Sequence, residues 1–347
     1  MATARDLLSA AAVRDRAHRL YELGIEGELE HFDVRLDRLP KAADFVLATM
    51  REAYPELDIP YHSRWRHFEA GDINRWGGLV DASGLAEDPL RFGRAAYDLA
   101  IVSVLLDAGA GPDWRYEEAA TGGTYARSEG LGVASFAMFA SGLFSADPAD
   151  PLRADASALA ALTADELAAG LQVTPSNPIV GLEGRVALLN ALGRTVAERP
   201  DLFGEDEARP GGLFDACVAA AGDGSIAAPA VLALVLDGLG AIWPGRILID
   251  GVRLGDTWRH TKLATDDATN HLVPFHKLSQ WLTYSLIEPL LWTGVAVEDV
   301  DGLTGLPEYR NGGLFIDMGV LVPRRRDALT RTWHVDDEFV VEWRALT

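Results

Sequence analysis

Ala95–Leu106 reads AAYDLAIVSVLL, with Asp98 and Ser103 as its polar interruptions. Wound as a helix it is apolar almost all round, and such a helix belongs in the middle of a domain. It runs into Asp107, an acid at a helix C-terminus, where the macrodipole disfavours negative charge. Something must hold Asp107 there: Arg115, a capping contact or a ligand, with Trp114 close by in sequence.

Helical spacing continues on both sides of this segment. It predicts helices over about 4–22, 39–53, 84–109, 129–144, 163–171, 181–198, 211–222, 228–240, 271–291 and 307–320. Thr163 and Glu166, in TADE, have the form of a capping box. Strand signals are few. Arg246–Asp256, RILIDGVRLGD, pairs two short β-prone runs across Asp250-Gly251, a good hairpin turn. Thr332–Trp343, TWHVDDEFVVEW, alternates in a similar way. The fold class expected is therefore mostly α, multi-helical, with one or two small β-hairpins. There is no internal repeat. Residues 1–347 read as a single large helical domain, with two lobes conceivable about the Asp/Pro/Ala-rich stretch 145–165.

Composition narrows the function. The 347 residues include 31 basic and 52 acidic side chains, net −21, with 48% hydrophobic residues to build a core. So acidic a chain is a poor nucleic-acid binder and should stay off anionic membranes. Cys217 is the one cysteine; it reads as a small core residue and can form neither an internal disulfide nor a cysteine-based zinc site. Both facts favour a reducing, cytoplasmic setting. The opening MATARDLLSAAAVRDRAHRLYELG carries charge throughout its apolar periodicity. It reads as an amphipathic helix ending near Gly24, not a signal peptide. No apolar run is long enough to span a membrane.

Familiar catalytic signatures are absent. His62/His67 and His271/His276 are each five apart. On a helix that spacing turns the second ligand about 140° away, so neither pair suggests a metal site. There is no Gly-x-Ser-x-Gly, and GAGPDW and AGDGS read as ordinary turns, not phosphate loops.

Three stretches carry chemistry-bearing residues. In His271–Leu290, HLVPFHKLSQWLTYSLIEPL, helical projection puts Phe275, Leu278, Leu282 and Leu286 on one arc. Lys277, Trp281, Tyr284 and Glu288 lie on the opposite one, with Gln280 beside them. That second arc reads as a pocket wall or as a second packing surface with a snorkelling lysine. Tyr61–Trp76, YHSRWRHFEAGDINRW, gathers Arg64, Arg66, Arg75, His62 and His67 among aromatics, for a phosphate or for internal ion pairs. Gly305–Leu321, GLPEYRNGGLFIDMGVL, places Glu308 after Pro307 at an apparent helix start, where the dipole favours negative charge. Tyr309, Arg310 and Asn311 follow it, Gly312-Gly313 permits close approach, and Asp317 lies nine residues beyond Glu308.

Several segments together resemble the uracil-catabolism family known as domain of unknown function 1688. They include HFDVRLDRLPKAADFV, IPYHSRWRHFEAGDINRW, LLDAGAGPDWRY, RSEGL and NPIVGLEGR. LVPFHKLSQWLTYSLIEPL and DGLTGLPEYRNGGLFIDMGVL are the longest and most specific. PFHKLSQWL and LTGLPEYRNGGL also resemble segments of the queuosine-salvage nucleosidases, whose helical fold is related to DNA glycosylases. The second resemblance implies a DNA-glycosylase-like two-lobed architecture. It sets Lys277 and Gln280 at that family's lysine and glutamine, and Glu308 at its catalytic aspartate, with Tyr309 and Arg310 in step. Here aspartate has become glutamate, and Val-Pro-Gln has become Asn-Gly-Gly.

The resemblances imply an N-ribosyl hydrolase acting on a small ribosylated substrate, ribosylurea or its 5′-phosphate. Glu308 would meet the cation. His276, Asp107 or Asp317 would protonate the leaving urea. Trp281, Trp114 and Tyr309 would wall the pocket. Lys277, Arg310, Arg64, Arg66 and His67 would hold a phosphate. Neither a metal nor a redox cofactor is required. The alternatives are a metal-dependent amidohydrolase built on His260, His271, His276 and Asp266, and a non-catalytic partner protein.

Overall fold

In the computed structural model, which describes residues 2–205, 207–243 and 247–347, Ala95–Leu106 forms the inner part of a helix running Pro89–Leu106. Every residue from Ala95 to Leu106 is buried. The helix starts later than periodicity predicts because Asp88 caps it, accepting from the Leu90 and Arg91 N–H groups at 3.0 and 3.2 Å, with Pro89 in the first turn. Asp98 is buried on this helix; its carboxylate accepts from Arg209 Nε at 2.8 Å and from the Ala154 N–H at 3.1 Å. An unpaired carboxylate there would cost several kcal/mol, so these partners are what permits an acid in the central helix.

Among the described residues 53% are helical, in fifteen α-helices, and the strands form only two-stranded pairings. The chain is mostly α. It divides into two compact units. The first comprises Met1–Tyr61, Gly245–Gln280 and Asp301–Thr347; the second comprises His62–Pro244 and Trp281–Val300. The stretch 145–165 lies inside the second unit and carries the helix Ala156–Ala161. That helix packs on Leu182–Ala197 so closely that a Cβ on Gly193 would stand 3.0 Å from Ala160 Cα.

The first unit surrounds its helices Ala10–Ile25 and Glu338–Leu346 with short antiparallel pairs. Phe32–Val34 pairs with Leu321–Pro323, and Thr257–Arg259 with Leu272–Pro274. Leu248–Ile249 and Val252–Arg253 make the expected hairpin across Asp250-Gly251, both in the left-handed region at φ 50° and 79°. Arg246 lies outside the described residues. Leu20, Trp258, Val273, Phe275 and Val341 meet in one core cluster.

Three expectations are corrected. The helix predicted over 271–291 runs Lys277–Trp292. Pro274 biases the residue before it away from helical angles, and His271 and His276 both have positive φ, so Leu272–Pro274 becomes a strand instead. The alternating C-terminal stretch is not a hairpin; Glu338–Leu346 is helical, burying Phe339, Val341, Glu342 and Ala345. The first helix divides into a 3₁₀ turn at Ala4–Leu7 and a helix from Ala10, capped by Ser9, which accepts from the Ala12 N–H at 3.2 Å.

Candidate functional site

The first unit holds a cavity of about 300 Å³ lined by Asp256, Trp258, Lys277, Glu308, Tyr309 and Trp343, among others. Glu308 is the N-cap of the helix Tyr309–Asp317, its Oε2 accepting from the Arg310 N–H at 3.0 Å. Asn311 Nδ2 donates back to the Leu306 carbonyl at 3.1 Å and fixes the entry of the chain. Gly312 lets this helix lie against Trp343 and Thr347; a Cβ there would come within 2.8 Å of Thr347 Oγ1. Lys277 Nζ stands 3.7 Å from Glu308 Oε1, with side chains 36% and 20% exposed. A partly exposed pair at that distance contributes at most about 1 kcal/mol, so an incoming ligand separates it cheaply.

Asp256 organises the other wall. Its carboxylate takes a two-pronged contact from Arg344, at 2.9 and 2.8 Å, together with Trp258 Nε1 at 2.6 Å and the Lys277 N–H at 3.0 Å. Burial opposes its charge, but Arg344 and these donors win and hold the carboxyl well below the usual carboxylate range. Asp256 therefore caps the Lys277–Trp292 helix and sets where Lys277 starts. A neighbouring cavity of about 280 Å³ shares Pro307, Arg344 and Thr347 with the first and adds His18, Tyr21 and Thr304.

The second unit holds a different polar cluster. Arg64 is buried, donating through Nε to Ser103 Oγ at 2.6 Å and through Nη1 to the Ser128 carbonyl at 3.2 Å, with Asp107 Oδ2 3.4 Å from Nη1. Its guanidinium carbon lies 5.9 Å from the Trp281 ring. The His67 ring meets Trp281 edge-on, centroids 5.8 Å apart. Gly132 makes room for His67; a Cβ there would stand 2.7 Å from His67 Cβ. Burial, then the charge of Arg64, lowers the His67 pKa to about 4, so the ring is neutral at pH 7. Arg64 Nη2, His67 Nδ1 and Trp281 Nε1 are buried without a hydrogen-bond partner among the described residues. Each orphaned buried donor costs about 1–3 kcal/mol.

Sequence-predicted residues thus fall into separate groups. Glu308, Lys277 and Tyr309 share one cavity. Arg310 and Asn311 are exposed on the helix that Glu308 caps, and Asp317 is exposed at its last turn. Gln280 grips Thr304, accepting from its N–H at 2.9 Å and donating to its Oγ1 at 2.7 Å. His276 is buried, its Nε2 2.9 Å from the Leu7 carbonyl. Trp114 is fully buried and donates to the Leu171 carbonyl at 2.9 Å. Arg64, His67, Asp107 and Trp281 lie together in the second unit. Arg66 is paired with Glu288 at 2.8 Å and Glu69 at 3.0 Å, and Arg75 with Glu118 at 2.6 Å. The basic stretch 61–76 is thus matched by acids.

Among the described residues no three His, Cys, Asp or Glu side chains are grouped to hold a metal ion, and no helix is long and apolar enough to cross a membrane. Sequence reasoning missed Asp256, Trp258, Trp343 and Arg344. Trp343 ends the segment read as a strand and Arg344 follows it, and an acid after a hairpin carries no signal of its own.

A family model described as "Protein of unknown function (DUF1688)" matches residues 6–347. "Protein urg3" of Schizosaccharomyces pombe is 40% identical over 99% of this chain and 84% of its own length. "Uracil catabolism protein 4" of Lachancea kluyveri is 37% identical over 98% of this chain and 84% of its own length.

Proposed function

The chain belongs to the family described as protein of unknown function (DUF1688), and from that membership we propose a role in uracil catabolism as an N-ribosyl hydrolase. Its substrate in this reading is ribosylurea or the 5′-phosphate, split into urea and the sugar. The observation that carries it is Glu308: a carboxylate fixed by its own helix cap, beside Lys277, on the wall of a cavity with aromatic sides.

Breaking the C1′–N bond leaves its electron pair on the urea nitrogen and positive charge on C1′ and the ring oxygen, an oxocarbenium-like state. A carboxylate held in place stabilises that charge without reorganising. The same group directs a water, whose oxygen forms the new C1′–O bond while its proton passes to Glu308. Urea is a poor anionic leaving group, so its nitrogen must gain a proton as the bond breaks. Lys277 is the ammonium group beside Glu308 in this cavity and supplies it; transfer from Glu308 to Lys277 then restores both. His276 suits that task less well, because its Nε2 is held by the Leu7 carbonyl. Trp258, Trp343 and Tyr309 supply the rings that flank the sugar.

Purified protein incubated with ribosylurea and with its 5′-phosphate should release urea from at least one of them. Glu308→Gln should lower the rate at least about 100-fold. It should still fold, because the amide oxygen can accept the Arg310 N–H as the carboxylate does. Near-full activity in that variant would remove Glu308 from the mechanism.

A further inference from the structure

We propose that Arg64, Asp107, Trp281 and His67 form a binding site for an uncharged planar group carrying a carbonyl beside an N–H, an amide or ureido group. The proposal rests on the second unit's residues alone and holds whatever reaction the Glu308 cavity supports.

Three facts lead to it. The first is that the site is incomplete. Buried polar groups almost always find partners, yet Arg64 Nη2, His67 Nδ1 and Trp281 Nε1 have none among the described residues. They belong to side chains in mutual contact, with Arg64 Cζ 5.9 Å and the His67 ring 5.8 Å from the Trp281 ring. The second is rigidity. Ser103 and the Ser128 carbonyl hold Nε and Nη1 of Arg64, so Nη2 is the donor left over, already oriented.

The third is charge. Arg64 is matched by Asp107 at 3.4 Å, Glu129 adds a second acid near Arg64 and His67, and His67 is neutral at pH 7. Arg66 is committed to Glu288 and Glu69. Arg185 is a second buried cation beside Asp107, its donors spent on the Leu106, Val180 and Ala108 carbonyls. The two arginines are balanced by Asp107 and Glu129, so an anion such as phosphate would add negative charge that nothing offsets. A neutral carbonyl oxygen suits the donors on Arg64 and Trp281, and an adjacent N–H suits the Asp107 carboxylate. His67 Nδ1 adds a donor or an acceptor according to its tautomer.

The test is ¹⁵N-indole NMR on the full chain, with the Trp281 Nε1–H resonance identified by its loss in Trp281→Phe. The probes are N-methylurea and sodium phosphate, each taken to about 0.1 M, because so small a fragment binds weakly. The expected result is that N-methylurea shifts the Trp281 resonance saturably and phosphate does not. Asp107→Asn should then weaken the N-methylurea titration at least about tenfold, the effect of one hydrogen bond to a charged group. The proposal is overturned if N-methylurea fails to shift the resonance saturably, or if phosphate shifts it as N-methylurea does. The comparison of the two probes uses the native chain and does not depend on either variant folding.

Discussion

His67 should refuse a proton that the unfolded chain accepts. Its pKa falls from 6.5 to about 4, first because the ring is buried and then because Arg64 is beside it. Asp107 and Glu129 pull the other way, and His62 adds to the depression. Above pH 6.5 both folded and unfolded chains carry the ring neutral, and the residue leaves stability unchanged. As pH falls toward about 4 the unfolded state gains a proton and the folded state does not, so stability is progressively lost. At about 1.4 kcal/mol per pH unit the full loss is about 3 kcal/mol. Guanidinium unfolding of the native chain and of His67→Gln, at about pH 7.5 and pH 4, isolates this contribution, because every other titrating group is common to both. The native chain should lose about 3 kcal/mol more than the variant. Imidazole NMR should place the His67 midpoint near 4. A midpoint above about 6, or pH profiles that run parallel, would refute the reasoning.

Asp256→Asn should destabilise the chain by about 2–3 kcal/mol at pH 7, less than for a wholly buried ion pair because both side chains are partly exposed. The native Asp256 carboxyl lies below its usual range, so its contribution is present above the unfolded value near 3.9 and lost as pH falls further. The two unfolding curves should therefore converge in acid, and a pH-independent difference would contradict the assignment. Cys217 is fully buried, and burial pushes its thiol up to about 12. A thiol reagent at pH 8 should leave the native chain untouched and react once guanidinium unfolds it; stoichiometric reaction without denaturant would contradict that.

The elements readable from sequence are those whose cause lies within a turn or two of chain. The apolar run Ala95–Leu106 announces the central helix, though not its start at Pro89. Thr163 and Glu166 announce another, with Glu166 Oε2 accepting from the Thr163 N–H at 2.9 Å. Asp250-Gly251 announces a hairpin, and Pro307-Glu308 a helix start. Two segments were not readable. Residues 272–274 precede a helix, but Pro274 keeps them out of it and Thr257–Arg259 supplies the partner that makes them a strand. Residues 332–343 alternate like a strand, but Glu338–Leu346 forms a helix that buries Phe339, Val341 and Ala345.

The same division runs through the site residues. From sequence alone come a mostly helical chain and an acid at the mouth of a helix. Tertiary structure alone decides that Lys277 stands beside Glu308 while Trp281, four residues on, belongs with Arg64 and His67. It also decides that Asp256 answers Arg344 across 88 positions and that Arg64 meets Asp107. Hairpin turns and caps such as those of Asp88, Thr163 and Glu308 are settled by neighbours along the chain, whereas Asp256 reaches Lys277 from 21 positions away. Ion pairs and orphaned donors depend on which distant segments the hydrophobic core brings together, and residue spacing carries no record of that.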